Sequence, residues 1–217
     1  MKKNLLVLAF LVGLLTCCKS EDAPIKPVKP TDPGSINKEY MSRAETTFAN
    51  IFKYYWSDKV RMMFGSYPNT LGTPQEPSSP DYDSHAFLWG LGSVVSAFNA
   101  IVQNTDNVDF RMTYESRLKE TLLKYYNTTK EPMCFGCFVN PHDQRLYDDA
   151  IWVGIDLADL YSKTKDSWYL DYAKSVWNFV LSGKDDELGG GVYWDENAKD
   201  SKNTCSNAPA VVLALKL

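Results

Sequence analysis

From Lys38 onward, apolar residues recur at helical spacing over nearly the whole chain, and no other feature limits its fold as strongly. Phe48, Ile51, Phe52 and Tyr55 mark one helix, and Leu91, Val94, Val95 and Phe98 mark the next. A third follows from Tyr114, Leu118, Leu122 and Tyr125, and a fourth from Ile151, Ile155, Ala158 and Tyr161. Tyr169, Ala173, Val176, Trp177 and Val180 give a fifth, and a last begins near Asn203. Strand-like alternation is confined to Gly191-Val192-Tyr193-Trp194. The pattern predicts an all-α fold of helical hairpins, a toroid or a solenoid. Two irregular stretches, Gly65 to Pro80 and Glu131 to Gln144, are longer than simple helix connections, and long ordered loops tend to carry function. The final apolar segment reaches Ala214-Leu215-Lys216-Leu217 without a capping Gly or polar tail, so residues 38–217 are expected to be the N-terminal part of a larger domain.

The residues ahead of this body read differently. Lys2 and Lys3 precede an apolar run from Leu5 to Leu15, the pattern of a secretory signal and too short for a transmembrane helix. The run closes on Leu15-Thr16-Cys17-Cys18, which resembles a bacterial lipobox with Cys18 as the lipidated residue and residues 1–17 as the leader. Pro24, Pro27, Pro30 and Pro33 make residues 18–37 a stiff, extended tether. Glu21 and Asp22 resemble the acidic signal that sends lipoproteins of the Bacteroidetes type to the cell surface, so the expected location is the outer membrane, exposed outward.

A formal net charge of -4 argues against a nucleic-acid partner, which calls for a basic stripe or patch. Candidate chemistry centres on Asp148 and Asp149, two acids opening an amphipathic helix. Helix capping is one reading. The other divides labour between the carboxylates, one as nucleophile and one as acid/base, with Tyr147 and Trp152 walling the site. Gly189-Gly190-Gly191 lets the backbone fold tightly below Tyr193 and Trp194, and no Lys-Ser or Lys-Thr follows to make a phosphate loop. Asn203, Ser206 and Asn207 either cap the last helix or bind sugar hydroxyls. His142 is a further substrate-contact candidate from its place in the loop before the acids. Cys134 and Cys137 form a single Cys-x-x-Cys without a second ligand pair, which fits a local disulfide or two buried thiols better than zinc.

Taken in order, Tyr147-Asp148-Asp149-Ala150-Ile151-Trp152, Gly189-Gly190-Gly191-Val192-Tyr193-Trp194 and Lys202-Asn203-Thr204-Cys205-Ser206-Asn207 resemble glycoside hydrolase family 76, endo-acting α-1,6-mannanases with an (α/α)6 toroid. The resemblance implies that Asp148 is the nucleophile and Asp149 the acid/base of a retaining mechanism without metal or cofactor. It implies a mannose-containing polysaccharide as substrate and a chain that supplies roughly the first half of the toroid. Ala150 and the glycine-rich Trp89-Gly90-Leu91-Gly92 depart from the family's pattern. The competing readings are a non-catalytic glycan-binding surface lipoprotein and another (α/α)6 carbohydrate enzyme, such as an unsaturated glucuronyl hydrolase or a sugar epimerase; an epimerase needs placed histidines, and only two occur.

Overall fold

The computed structural model describes residues 33–68, 85–139 and 144–217. The leader, most of the tether, Cys18 and His142 lie outside them. The chain divides into two compact units, Met1–Asn37 and Lys38–Leu217. Of the first, the described residues are the opening turns of α1 (Pro33–Tyr55), which begins inside the stretch read as tether. The other α-helices among the described residues are α2 (Leu88–Asn104), α3 (Val108–Tyr125), α4 (Tyr147–Thr164), α5 (Ser167–Ser182) and α6 (Thr204–Lys216). None is long and apolar enough to cross a membrane.

Helix α4 is the central element. Its sequence is apolar on nearly every side, with Ala150, Ile151, Val153, Leu157 and Leu160 all buried, as a helix enclosed by neighbours must be. It packs on α2, α5 and α6, so alternate helices α2, α4 and α6 form an inner row with α5 behind α4. Gly154 makes the approach close: a Cβ there would stand 2.9 Å from Val176 Cγ1 on α5 and 3.1 Å from Leu213 Cδ2 on α6. At the other end, Phe48 of α1 sets its ring 6.0 Å from Phe98 of α2, 5.3 Å from Phe110 and 5.1 Å from Tyr114 of α3. These rings make the aromatic half of the core.

The strand reading needs correction. Gly191 to Trp194 is not a strand; Val192 makes one isolated bridge to Lys184. Two short antiparallel ladders occur where none was expected, β1 (Trp56–Ser57) with β2 (Met62–Met63) and β3 (Tyr126–Asn127) with β4 (Cys134–Phe135). The second ladder positions the site. The segment after β4 accepts a bond from the first residue of α2, Leu88 N–H to Cys137 C=O at 2.9 Å, and donates from Cys137 N–H to Gln144 C=O at 2.9 Å just before α4. The N-termini of α2 and α4 are thereby tied to one loop.

Candidate active site

The first turn of α4 carries both aspartates, and neither caps it. Leu146 is the N-cap, in extended backbone with no side-chain cap bond, so the capping reading is corrected for Asp148 and Asp149 alike. Instead the helix start is fastened from outside: Tyr147 N–H bonds Trp194 C=O at 2.9 Å, Glu196 N–H bonds Arg145 C=O at 3.2 Å, and Leu146 bridges Asp195. The carboxylates follow as the second and third helical residues, 7% and 8% exposed, at the positive end of the helix dipole.

Their side chains diverge into different surroundings. Asp148 Oδ2 accepts the Trp194 indole N–H at 3.2 Å. Its Oδ1 is buried and has no hydrogen-bond partner among the described residues. Cys205, in the first turn of α6, adjoins this carboxylate; burial, then contact with Asp148, pushes its thiol pKa up. Asp149 faces Cys137. Burial first, then the neighbouring charge of Asp148, pushes the Asp149 carboxyl up to about 6, partly offset by a hydrogen bond from the Cys137 thiol. Burial and Asp149 together push that thiol up to about 12, so it remains a proton donor. Cys134 and Cys137 are free buried thiols, the second of the two alternatives left open for them. Among the described residues, no group of three or more His, Cys, Asp or Glu side chains is placed to hold a metal ion.

The raised Asp149 sets a stability test. A carboxyl whose folded pKa exceeds its unfolded value of 3.8 favours the fold fully below that value and loses this contribution as pH rises through about 6. Asp149→Asn is therefore expected to raise the melting temperature at pH 7, by on the order of 2 kcal/mol of stability, and to have little effect near pH 4. A lowered melting temperature at pH 7 is the result expected of a lost cap and contradicts this geometry.

Of the aromatic candidates, Trp152 and Trp194 stand at the site and are partly exposed, while Tyr147 and Tyr193 are buried. Tyr147 is 2% exposed, stacked on Phe179 at 4.3 Å, and its ring fills the space above Gly183, where a Cβ would come within 2.3 Å. Tyr193 is buried beneath the Lys202 ammonium, 4.6 Å from its ring centre, with its hydroxyl on Asp185. Both rings pack as supports of the site's backbone. Asn203 is the N-cap residue of α6 without a side-chain cap bond and is half-buried. Asn207 does not cap the helix: its Oδ1 accepts Val192 N–H at 2.8 Å, and its Nδ2 donates to Val192 C=O at 2.9 Å.

Two supports were given no role by the sequence. Lys202 Nζ is bound by Asp185 C=O at 2.9 Å, Asp185 Oδ1 at 2.6 Å and Glu187 C=O at 2.6 Å, closing the loop in which Gly189, Gly190 and Gly191 all adopt positive φ. Arg145 is fully buried. It pairs with Glu196 through Nε to Oε2 at 2.8 Å and through Nη2 to Oε1, and donates Nη1 to Pro132 C=O at 2.7 Å and Lys130 C=O at 3.2 Å. Burial alone would raise the Glu196 carboxyl, but Arg145 and Lys130 overcome this and hold it below its usual range. Arg145 thus joins the loop after β3, the start of α4 and the segment after Trp194.

Residues 39–217 match the model of Glycosyl hydrolase family 76. No curated protein sequence matches. A family 76 glycoside hydrolase from a bovine Bacteroides thetaiotaomicron strain superposes with a TM-score of 0.69 at 29% identity, over 82% of this chain and 37% of that one. A family 76 glycoside hydrolase (mannosidase) from Bacteroides thetaiotaomicron VPI-5482 superposes at 0.67 and 25% identity, over 82% and 48%. An inactive variant of the α-1,6-mannanase of Salegentibacter sp. HEL1_6, with two consecutive aspartates replaced by asparagine and α-1,6-mannotriose bound, gives 0.58 at 20% identity over 83% and 44%, a likeness of fold alone. The chain spans half or less of the length of these structures. Its hairpins with an inner row of alternate helices are those of the (α/α)6 toroid over the part that superposes.

Proposed function

The chain belongs to glycosyl hydrolase family 76, and from that premise we propose that its protein is a retaining, endo-acting glycoside hydrolase on α-1,6-mannan or a related α-mannoside polymer. One observation carries the mechanism: two consecutive carboxyls at one helix start have unlike partners. The Trp194 indole holds Asp148 Oδ2 and leaves Oδ1 buried and unpartnered. Asp149 keeps its proton up to about pH 6. That is the separation of roles a retaining hydrolase requires. The Asp148 carboxylate attacks the anomeric carbon while Asp149 gives its proton to the glycosidic oxygen, and the C–O bond to the leaving sugar breaks. Asp149, now ionised, takes a proton from water, whose oxygen displaces Asp148 and frees the second sugar. Mannose specificity is supported by the mannosidase at 25% identity.

Release of reducing ends from linear α-1,6-mannan by the protein tests this reading. Saturable binding of mannan with no new reducing ends is the result expected of a glycan-binding lipoprotein instead. The lipobox-like run supports, as a separate proposal, an outer-membrane lipoprotein anchored through Cys18 and exposed at the surface. Fatty-acid labelling that persists in Cys18→Ala contradicts it.

A further inference from the structure

The backbone of Cys137 is fixed from several sides. Gly136 N–H bonds Tyr125 C=O at 2.7 Å, Cys137 N–H bonds Gln144 C=O at 2.9 Å, and Cys137 C=O receives Leu88 N–H at 2.9 Å. The next residue, Phe138, meets Phe87 edge to face with 5.0 Å between ring centres. Held in this way between the starts of α2 and α4, the Cys137 side chain keeps one free torsion, χ1, and it is 4% exposed. Its thiol faces Asp149. The Cys134 thiol, three residues earlier, lies toward Arg145 and Glu196 instead, so the two sulfurs serve different neighbours.

Among the described residues, few ionisable groups surround Asp149. Asp148 adjoins it on α4, and Cys137 reaches it from the loop after β4. Cys205 of α6 stands against Asp148. From α2, the cavity of about 280 Å³ beside Asp149 is lined by Trp89, Gly92, Ser93 and Ser96, none of which titrates. Asp156, two turns further along α4, takes the Ser96 hydroxyl proton and, at 2.8 Å, the Asn99 side-chain N–H. Burial and then the Asp148 charge favour the protonated form of Asp149, and the Cys137 thiol opposes them. An S–H group is a weak donor, so it opposes them only in part, where a hydroxyl or an amide would draw the carboxyl further toward its ionised form.

We propose that Cys137 is the positioning residue of the acid/base: its thiol, held between the starts of α2 and α4, aims the Asp149 carboxyl through a hydrogen bond weak enough to leave it the proton it delivers. The proposal rests on the reading of Asp149 as acid/base. It gives the buried thiol a role that neither a disulfide nor a metal site would, and it ties the pH range of the reaction to a loop outside the helices that carry the carboxyls.

Two substitutions at the one position test it with opposite signs. Cys137→Ala removes the donor, and Cys137→Ser puts a stronger one in its place. The titration of Asp149 is read by carbon-13 NMR of its carboxyl, identified by the resonance missing in Asp149→Asn, together with the pH profile of kcat/KM for α-1,6-mannotetraose. Alanine is expected to move the midpoint and the alkaline limb up, and serine to move both down, each by about half a pH unit or more, because a bond to the carboxylate favours its ionised form. Cys134→Ala, an equal loss of a buried thiol away from Asp149, is expected to move neither. A midpoint that stays in place in both Cys137 variants, or moves the same way in both, overturns the proposal. Should serine not fold in this buried position, alanine alone decides: a rise upholds the proposal and no rise overturns it. A midpoint that moves as expected while the limb of activity stays upholds the hold of Cys137 on Asp149 and removes Asp149 as the acid/base.

Discussion

Asp148→Asn is expected to reduce release of reducing ends from linear α-1,6-mannan to background while leaving the melting temperature near that of the unsubstituted protein. The amide keeps the shape and can still accept the Trp194 indole N–H at its remaining oxygen, but it cannot form the glycosyl ester. Asp149→Asn separates the roles. On mannan it is expected to lose roughly 10²–10⁴-fold in kcat, the usual worth of a general acid. On a mannosyl fluoride, whose departing group needs no proton, the first step is expected to survive, so a glycosyl-enzyme accumulates. Comparable and complete loss on both substrates contradicts the assignment of the acid to Asp149. With Asp149 at about 6, activity on mannan is also expected to decline as pH rises through that value, because the proton donor is lost.

Arg145→Met is expected to destabilise the protein by about 3–5 kcal/mol, the cost of stripping one partner from a buried ion pair. In a chain of this size that corresponds to a fall in melting temperature of roughly 6–20 °C. The loss comprises the bidentate bond to Glu196, two bonds to backbone carbonyls of the loop after β3, and the stacking over Phe179 at 4.7 Å. Adding Glu196→Met is expected to recover part of it, since the second change removes the carboxylate left without its main partner. A single variant that melts within 1 or 2 °C of the parent shows that the three segments are held by something other than this guanidinium.

What could be read from the sequence followed physical range. Helical periodicity is local, so the helices were legible to within a few residues: the last was expected from near Asn203 and runs Thr204–Lys216 with Asn203 as its N-cap. The two-residue ladders are too short to show alternation, and α1 begins at Pro33 because proline's fixed φ suits a first turn as well as a tether. In the site, the aspartates announced themselves by type and position. Their supports did not: Arg145 meets Glu196 across 51 residues, and nothing near either marks the pairing. Tyr147 and Tyr193 read from the sequence as substrate contacts, and their burial was not legible because local pattern does not reveal which face of the fold receives an aromatic. Asp156 left a trace, a carboxylate within the apolar stripe of α4, and such a residue in an otherwise buried helix calls for a partner. Trp89 shared its segment with two glycines, and it is Gly92 that leaves room beside it.

The stereochemistry of one turnover tests the proposed double displacement most directly. Proton NMR of the anomeric region, recorded within the first minutes of hydrolysis of an α-1,6-mannooligosaccharide and before mutarotation, is expected to show the new reducing end as the α-anomer. Retention follows from attack by Asp148 and then by water on the same carbon. Appearance of the β-anomer first would contradict it, because a single displacement by water leaves Asp148 no nucleophilic role.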